Sequence, residues 1–547
     1  MKIARAVWLI AFALAALGLL PAQELVAPSE STNHPDRVER FRDFGFGLFI
    51  HWNVDSTLGT VISHSLVSAS EDYIRRYYAE LPGVFNPRAF QPDDWAGLAK
   101  LAGVKYVVFT AKHHSGFCMF DTATTDFGIM HTPFQRDVTA EVLQAFRRQG
   151  IATGIYFSPD DFLWLHRHGI TIQRGVPGVQ PSHNPGLRAY DEAQVTELLT
   201  HYGPVDVFFI DGEADALRTL AWRLQPQIVV TRGAMPTPEL HTMDKPLDEA
   251  WESCITMSTA WQYQPTLDVY KTGRQCLSLL IQTRAEGGNL LLDIGPKPNG
   301  ELPQQQEDRL REMALWMFAN GECIYGVRPW IITHEKDVWF TRRKAERTVY
   351  AIVDRDQEWA FGAWGEVVLK SVRATPRTVA SVLGQNDQVL EYRPDVIPTT
   401  TWRQGADGLH IRAMRTQRMR DNHHWPDPLV LKLTEVEPAL TPPQVETVRA
   451  SATAGGARLE GRLESLGDSA ALPVVFAYQD VTGKDTHEAM DDWRYTDPQT
   501  LSAPGNFSAT VAGLSPGRTY EVRVVVRHPL ANFYGDEIRF ETPAGAP

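Results

Sequence analysis

The chain is poor in cysteine. Its 547 residues include only four cysteines, and no two of them stand at the short spacing that structural zinc sites use. All four precede residue 330: Cys118, Cys254, Cys276 and Cys323. Scattered cysteines in a large domain are usually buried thiols. We therefore assign no disulfide pairing and predict no cysteine-based metal site.

Positive charge is in deficit, and the body of the chain lacks long apolar runs. The 53 lysines and arginines are outnumbered by 66 aspartates and glutamates, which gives a formal net charge of −13. This excess of acid disfavours nucleic acid and anionic membranes as partners. After residue 22 no apolar run is long enough to span a bilayer. The chain is also too long for one core, so several domains are expected.

Residues 1–22 have the pattern of a secretory signal peptide. Lys2 and Arg5 supply the positive start, residues 6–20 the apolar core, and Leu20-Pro21-Ala22 a cleavage site of small residues. The apolar core is too short for a comfortable membrane span. We therefore expect export to a periplasmic or extracellular location.

Between residues 34 and 300, short apolar runs alternate with helical patterns. Six of these runs are typical of strands buried on both faces: 45–50, 105–110, 151–157, 205–210, 227–230 and 289–294. Strand–helix alternation over this length predicts a mainly parallel sheet closed as a (β/α)₈-like barrel. Two further strands are expected near 65–68 and 254–257. An open doubly wound sheet is the alternative, but no glycine-rich phosphate loop follows the first strand.

Beyond residue 329 the pattern changes to short alternating segments that predict antiparallel strands. Residues 330–437 are expected to form a β-sandwich, and prolines at 438, 442 and 443 mark a linker. In the last module, the turn before Tyr520 resembles a fibronectin type III domain, in which the phenol bonds back to the backbone. The predicted organisation is a signal peptide (1–22), a catalytic barrel (23–329), a β-sandwich (330–437) and a fibronectin type III-like β-sandwich (443–547).

Polar or amphipathic side chains follow nearly every predicted barrel strand. They are His51, Trp52, His113, His114, Tyr156, Asp211 and Arg232. The carboxyl ends of parallel strands meet at one edge of a barrel, where such enzymes place their chemistry. We therefore expect these residues to share one pocket.

Two kinds of chemistry could use such a pocket. Three histidines with an aspartate could ligate a metal, but adjacent His113 and His114 would point to opposite faces of a regular strand. The alternative is a sugar, whose hydroxyl groups need closely placed polar groups and whose apolar faces need flat walls. Aromatic side chains are available for such walls: Trp52, Tyr156, Trp251 and Trp261.

Cleaving a glycosidic bond with retention requires two carboxyl groups beside the anomeric carbon, about 5 to 5.5 Å apart. Asp211 is the natural nucleophile. Glu252, in the pair Trp251-Glu252, is the candidate acid/base, because a neighbouring indole could shield it. Other acids compete for that role: Glu213, Asp244, Asp248 and Glu249.

Five segments, in this order, resemble the motifs of glycoside hydrolase family 29, the retaining α-L-fucosidases. They are Phe49-Ile50-His51-Trp52, Phe109-Thr110-Ala111-Lys112-His113-His114-Ser115-Gly116-Phe117, Phe209-Ile210-Asp211-Gly212, Trp251-Glu252 and Gly287-Gly288-Asn289-Leu290-Leu291-Leu292-Asp293-Ile294-Gly295-Pro296. The resemblance covers roughly residues 34–330. It implies a (β/α)₈-like barrel followed by a β-sandwich, and a reaction that needs neither a metal nor another cofactor.

The resemblance also implies roles for individual residues. Asp211 resembles the nucleophile and Glu252 the acid/base, while His51, His113 and His114 resemble the ligands of the sugar hydroxyls, with Tyr156 and Arg232 also in the pocket. Trp52 and Trp261 are expected to bind the sugar as aromatic walls. Both adjacent histidines can face the sugar only if that strand end is irregular. Two positions depart from the family pattern. Phe209 stands where relatives often carry Trp, although it could still wall the C6 methyl of fucose, and Glu71-Asp72-Tyr73 stands where many carry Glu-Trp.

The resemblance thus implies a secreted, exo-acting, retaining α-L-fucosidase that acts on fucosylated oligosaccharides or polysaccharides. One alternative is a retaining glycosidase of the same family that acts on a modified fucose or a related galacto-configured sugar. Another is a carbohydrate-binding protein that has lost catalysis.

Overall fold

The computed structural model describes residues 32–243, 245–247, 249–266, 268–355, 359–417, 428–453, 455–483 and 492–544. The predicted signal peptide, residues 1–22, lies outside these ranges. Within them, no helix combines the length and the apolar character needed to cross a bilayer.

The first part of the chain forms a parallel, TIM-barrel-like sheet. Its strands are β1 (Phe46–Ile50), β2 (Tyr106–Lys112), β3 (Ala152–Phe157), β4 (Val207–Ile210), β5 (Val229–Val230), β6 (Glu252–Thr256) and β7 (Asn289–Ile294). They are ordered β5-β4-β3-β2-β1-β7-β6, and every neighbouring pair is parallel. Nearly every residue of these strands is buried, as expected for strands covered on both faces. The barrel fold is therefore confirmed.

Helices separate most of these strands. They are α1 (Pro35–Phe44), α2 (Glu71–Val84), α3 (Pro92–Ala102), α4 (Val138–Arg148), α5 (Phe162–Arg167), α6 (Pro185–His201), α7 (Asp215–Leu224), α8 (Gly273–Ala285) and α9 (Gln304–Asn320). Several begin at side chains that cap the helix, for example Asp137 at α4 and Thr272, with a capping box, at α8.

The two additional strands predicted for the barrel had different outcomes. The strand expected near 254–257 exists as β6. The prediction of a strand near 65–68 is wrong, because that segment contains a short 3₁₀ turn, His64–Leu66. Asp55 accepts a 2.7 Å bond from the backbone N–H of Ser63, and Ser63 has a φ of 59°, so the chain bends where a strand would continue.

Two antiparallel sheets follow the barrel. The first contains β8 (Val327–Glu335), β9 (Val338–Arg343), β10 (Thr348–Val353), β12 (Val372–Val382) and β15 (Leu429–Pro438), and the second β11 (Trp364–Leu369), β13 (Thr401–Gly405) and β14 (Gly408–Met414). Apolar residues of both sheets share one core. This is the β-sandwich expected after the barrel.

Two more antiparallel sheets complete the described chain. One contains β16 (Gln444–Thr453), β17 (Gly456–Ser465) and β21 (Gly505–Ala512). The other contains β18 (Leu472–Asp480), β19 (Arg494–Tyr495), β20 (Gln499–Leu501), β22 (Thr519–Arg527), β23 (Asn532–Tyr534) and β24 (Ile538–Glu541). The predicted bond from tyrosine to backbone is confirmed, since the N–H of Ser515 donates to Oη of Tyr520 at 3.0 Å. The fibronectin type III assignment stays a prediction.

Candidate active site

A cavity of about 410 Å³ opens at the carboxyl edge of the barrel sheet. Most of the predicted site residues line it: His51, His113, His114, Tyr156, Phe209, Asp211, Arg232 and Trp261. Its remaining lining residues are Phe49, Ile62, His64, Arg174, Glu239, Leu240 and Cys254. The structure therefore brings together side chains from β1, β3, β4 and β6 and from the segments that follow the strands.

Asp211 follows directly after β4 and is held from several sides. The phenol of Tyr156 donates to Oδ2 at 2.6 Å, and Nη1 of Arg232 donates to Oδ1 at 3.0 Å. Nη2 of Arg174 lies 3.7 Å from Oδ1, and Nε2 of His114 lies 3.5 Å from Oδ2. These contacts orient the carboxylate within the cavity.

The charges around Asp211 keep it ionised. Burial by itself would raise the pKa of Asp211, but the positive charges of Arg174 and Arg232 hold that pKa well below its usual range. The hydrogen bond from Tyr156 acts in the same direction. Asp211 is therefore an anion with fixed geometry, which a nucleophile requires.

His113 and His114 both line the cavity because the end of β2 is irregular. The pairing of β2 with β3 slips between Thr110 and Lys112, so one residue is added on β2. The chain then turns at Gly116, whose N–H donates to the carbonyl of His113 and whose φ is 85°. The irregular strand end that was predicted from the adjacent histidines is confirmed.

The imidazole of His51 is paired with a buried acid. Its Nδ1 lies 2.7 Å from Oδ1 of Asp293, and both side chains are almost fully buried. Burial lowers the pKa of His51 to about 3 and raises the pKa of Asp293 well above its usual range. Burial thus disfavours charge on either group, and their bond fixes the orientation of the His51 ring.

Aromatic rings form the floor and one wall of the cavity. The ring of Phe49 lies 5.9 Å from that of Tyr156, 5.1 Å from that of Phe209 and 6.1 Å from that of Trp261. Phe209 packs its ring nearly parallel to that of Tyr156, while the guanidinium of Arg232 lies 4.8 Å from the ring centroid of Phe209. The pocket thus combines a flat apolar surface with charged groups, as a sugar ring requires.

Trp52 does not line the cavity, so its predicted place in the pocket is wrong. Its side chain is fully buried and packs against Phe85, Phe90 and Trp95 in the core. Neighbouring residues of an extended chain point to opposite sides. His51 points into the pocket, and Trp52 therefore points away from it.

Glu252 does not line the cavity either, and its predicted place beside Asp211 is wrong. It is the first residue of β6 and pairs with Asn289 at the start of β7, so it lies at the amino edge of the sheet. Cys254, two residues later on the same face, is the member of this strand that reaches the cavity. Two residues of a strand span about 7 Å, so Glu252 lies about 7 Å from Cys254, towards the amino edge of the sheet.

Glu252 belongs to a buried layer under the site. Its Oε2 accepts a 2.6 Å bond from the phenol of Tyr106. The Tyr106 ring lies against Gly47, where a Cβ would stand 2.3 Å from its Cζ. Burial raises the pKa of Glu252 to about 7, against the opposing effect of its hydrogen bonds. Such a pKa suits a general acid, but this carboxyl has no access to the cavity.

The carboxylate that does share the cavity with Asp211 is Glu239, which sequence reasoning missed. Its Oε2 accepts a 2.8 Å bond from Nη2 of Arg232, and a third of its side chain is exposed. Its backbone lies beside β6 through a parallel bridge with Cys254. Pro236 and Pro238 favour an extended backbone here. They are the sequence feature that could have indicated a strand-like segment around Glu239.

The competing acids are not in the cavity. Glu213 is exposed and accepts a bond from Ser182, and Glu249 lines other cavities. Asp244 and Asp248 lie outside the described residues. None of the three described acids that were considered for the second role lines the cavity with Asp211, whereas Glu239 does.

Arg174 was also missed, because it comes from the long irregular segment after β3. Its Nε donates to Asp160 at 2.5 Å, and its Nη2 reaches the backbone carbonyl of Asp211 at 3.4 Å. Both ends of this segment are attached to β2: the fully buried Nζ of Lys112 lies 3.3 Å from Asp161 and 3.0 Å from Asp191. This buried ion triad holds the segment that brings Arg174 to the nucleophile.

Three of the pocket side chains could hold a metal ion. Ligand atoms of His113, His114 and Asp211 lie within 4.8 Å of one another. Arg174 and Arg232 stand beside the same carboxylate and would repel a cation. This donor set therefore fits a metal poorly.

Comparisons with known proteins point in one direction. A family model described as alpha-L-fucosidase matches residues 19–322. The chain is 29% identical over 390 residues to the tissue alpha-L-fucosidase of Mus musculus, covering 63% of this chain and 82% of that one. It is 28% identical over 404 residues to a putative alpha-L-fucosidase of Caenorhabditis elegans, with the same two coverages.

Solved structures show the same likeness. Alpha-L-fucosidase isoenzyme 1 from Paenibacillus thiaminolyticus superposes with a TM-score of 0.58 at 27% identity, covering 73% of this chain and 98% of that chain. The Thermotoga maritima alpha-fucosidase in complex with fucose, at 23% identity and a TM-score of 0.58, shares the fold over 74% of this chain and 98% of its own.

Proposed function

The chain belongs to the α-L-fucosidase family of glycoside hydrolases, and we propose that it is an exo-acting, retaining α-L-fucosidase. In this proposal Asp211 is the nucleophile and Glu239, not Glu252, is the acid/base. The observation that carries it is one guanidinium, that of Arg232, which binds both carboxylates in a single pocket. Two carboxyl groups on either side of a scissile bond are what retaining hydrolysis needs.

The reaction follows from these positions. Asp211 attacks the anomeric carbon, while Glu239 donates a proton to the departing glycosidic oxygen, and a covalent fucosyl-enzyme forms. Asp211 is then esterified and carries no charge. Glu239, now an anion, takes a proton from water, and that water attacks the same carbon and releases Asp211. Two inversions give net retention.

The pocket walls support a terminal sugar as the substrate. The rings of Phe49, Tyr156 and Phe209 pack together along one side of the pocket, which supports entry of a glycan by its non-reducing end. The ring of Phe209 offers an apolar surface for the C6 methyl of fucose. His113 and His114 line the same pocket and are the proposed partners of the hydroxyl groups. The proposed substrates are fucosylated oligosaccharides or polysaccharides.

A second candidate is a modified fucose or a related galacto-configured sugar. None of the residues Glu71, Asp72 and Tyr73 lines the cavity: Glu71 pairs with His166, and the phenol of Tyr73 donates to Ser65. Exposed His64 stands at the cavity instead. Rates on fucosides, substituted fucosides and galactosides of one aglycone would discriminate the two candidates.

We also propose that the protein is exported. The support is the charged start, apolar core and small-residue cleavage site of residues 1–22. N-terminal sequencing of the protein secreted by its native host would test this, with a start at Gln23 expected.

The stereochemistry of the first product tests the mechanism directly. Hydrolysis of an aryl α-L-fucoside followed by proton NMR should show α-L-fucose first, with the β anomer growing later by mutarotation. If β-L-fucose appears first, the double displacement is excluded. Binding of fucosides without any turnover would instead favour a protein that has lost catalysis.

A further inference from the structure

We propose that Ser63 and Ser158 hold the adjacent histidines in opposite neutral tautomers. His113 then presents an N–H to a bound sugar, and His114 presents a lone pair. One ring donates a hydrogen bond to a hydroxyl group, and the other accepts one. The two serines act as positioning residues, because neither lines the cavity.

The tautomer of His114 follows from its bond to Ser158. Its Nδ1 lies 2.5 Å from the Oγ of Ser158. That hydroxyl has one proton, which it donates to the backbone carbonyl of Asp160 at 2.9 Å. Since a carbonyl can only accept, Ser158 has no proton left for the ring. Nδ1 of His114 must therefore be the donor, and in a neutral ring Nε2 is then the acceptor.

The distance to Asp211 is an independent observation that agrees. Nε2 of His114 lies 3.5 Å from Oδ2 of Asp211, which is longer than a charge-assisted hydrogen bond. A proton on Nε2 would draw this nitrogen to the carboxylate, whereas a lone pair would not. Burial lowers the pKa of His114 well below its usual range, which agrees with a neutral ring.

His113 has the opposite tautomer to His114. Its Nδ1 lies 2.8 Å from the Oγ of Ser63. That oxygen already accepts the backbone N–H of Ser115 at 2.9 Å and the side-chain amide of Asn53 at 3.4 Å. Both lone pairs of Ser63 are thus used, so its proton goes to Nδ1 of His113. Nε2 of His113 then carries the hydrogen and donates into the pocket.

This arrangement has a consequence for specificity. A hydroxyl bound by His114 must donate its own proton, so a methylated or absent hydroxyl at that position loses the bond. A hydroxyl bound by His113 need only accept. The site therefore requires one free, unsubstituted hydroxyl on the terminal sugar, at the position bound by His114.

The tautomers can be measured in the free enzyme without any substrate. Nitrogen-15 NMR of histidine-labelled protein distinguishes protonated from unprotonated ring nitrogens, and His113→Gln and His114→Gln assign the two rings. The expected result is a proton on Nδ1 of His114 and on Nε2 of His113. The same tautomer in both rings, or a doubly protonated ring at pH 7, would overturn the proposal.

Variants of the serines sharpen this test. In Ser158→Ala the Nδ1 proton of His114 loses its acceptor, so the ring should switch to the Nε2–H form, drawn by Asp211. Ser158→Thr keeps a hydroxyl and should keep the original tautomer. Ser278→Ala is the matched control, because that hydroxyl donates to Asp354 outside the pocket. A Ser158→Ala spectrum identical to that of the wild type contradicts the positioning role of Ser158. If this variant does not fold, the wild-type spectrum alone tests the proposed tautomers.

A kinetic experiment tests the consequence, and this part rests on the proposed function. In a series of aryl α-L-fucosides that each lack one hydroxyl group, one compound should lose its bond to His114. Its kcat/KM with the wild-type enzyme should be about tenfold below that of the parent fucoside. In Ser158→Ala that penalty should shrink, while in Ser158→Thr and Ser278→Ala it should remain. An unchanged penalty in Ser158→Ala overturns the role of His114 as an acceptor. Absence of fucosidase activity would refute the proposed function and leave the NMR result standing.

Discussion

Asp211 and Glu239 are hydrogen-bonded to neighbouring nitrogens of one guanidinium group, that of Arg232, at 3.0 and 2.8 Å. A planar fork of donors is rigid, so it fixes the two carboxylates relative to each other as well as to the barrel. The proposed nucleophile and the proposed acid/base are thereby set before a substrate arrives.

Removing the proposed nucleophile should abolish turnover without unfolding the protein. Asp211→Ala is expected to lower kcat for an aryl α-L-fucoside by several orders of magnitude, because no group remains to attack carbon. Asp215→Asn is the matched control, since that carboxylate is largely exposed at the start of α7 and should leave kcat unchanged. With azide, the Asp211→Ala enzyme should form β-L-fucosyl azide. Near-normal kcat in Asp211→Ala would refute the assignment.

Two measurements distinguish the roles of Glu239 and Glu252: the response of each variant to azide, and the dependence of its rate on the leaving group. In Glu239→Ala, hydrolysis should slow most for fucosides with poor leaving groups, because the proton donor is missing. Azide should attack the fucosyl-enzyme and restore turnover on an activated fucoside, giving α-L-fucosyl azide. Glu252→Ala should show neither behaviour. If rescue and the α-azide appear with Glu252→Ala instead, the acid/base role returns to Glu252.

Glu252 should influence stability in a pH-dependent way. Its folded pKa is raised to about 7 from an ordinary 4.5, so its contribution to the free energy of unfolding is fully present below pH 4.5 and is lost as pH rises through 7. The loss is about 3 kcal/mol. Glu252→Gln does not titrate, so it should gain stability relative to wild type between pH 4.5 and 7.5. Denaturant unfolding at both pH values measures this, and a pH-independent difference would contradict it.

Arg174 should set the acid limb of activity. Its charge helps to hold the pKa of Asp211 below the usual range, so Arg174→Gln should move that pKa upward. The acid limb of kcat/KM should then shift to higher pH, by about one unit. Arg188→Gln is the control, because that exposed arginine pairs with Glu192 away from the cavity. An unshifted limb in Arg174→Gln would mean that Arg174 does not act on Asp211.

Metal removal should have no effect on turnover. The positive charge next to Asp211 comes from two arginines, and the reaction as proposed needs no Lewis acid. Activity after exhaustive chelation and dialysis is expected to equal that of untreated enzyme. Loss of activity that added zinc restores would assign the His113, His114 and Asp211 cluster to a metal.

Local sequence was sufficient for the residues at the ends of the strands. Asp211, His51 and Tyr156 each follow or end a buried apolar run, and parallel strands deliver such residues to one edge. Even the irregular end of β2 could be predicted, because two adjacent histidines cannot share one face of a regular strand.

The second carboxylate shows where that reasoning fails. Glu252 could reach the pocket only if it followed a strand, and it cannot if it begins one. The two cases differ by a shift of only a few residues in the position of the strand. Once residues 254–257 belong to a strand, Glu252 lies at its amino edge and cannot meet Asp211. Glu239, by contrast, lies in no regular strand, and only its pairing with Cys254 brings it to the cavity.

What the sequence by itself determined is the class of fold and the identity of the proposed nucleophile, because both follow from the periodicity of buried strands and from what stands at their ends. What only the tertiary structure decided is which groups join that nucleophile. Glu239 and Arg174 come from segments without periodicity, and their side chains bond to Arg232 and Asp160. These partners are near in sequence, but the course of the irregular backbone is set by tertiary contacts such as the pairing of Glu239 with Cys254, so no local pattern records it.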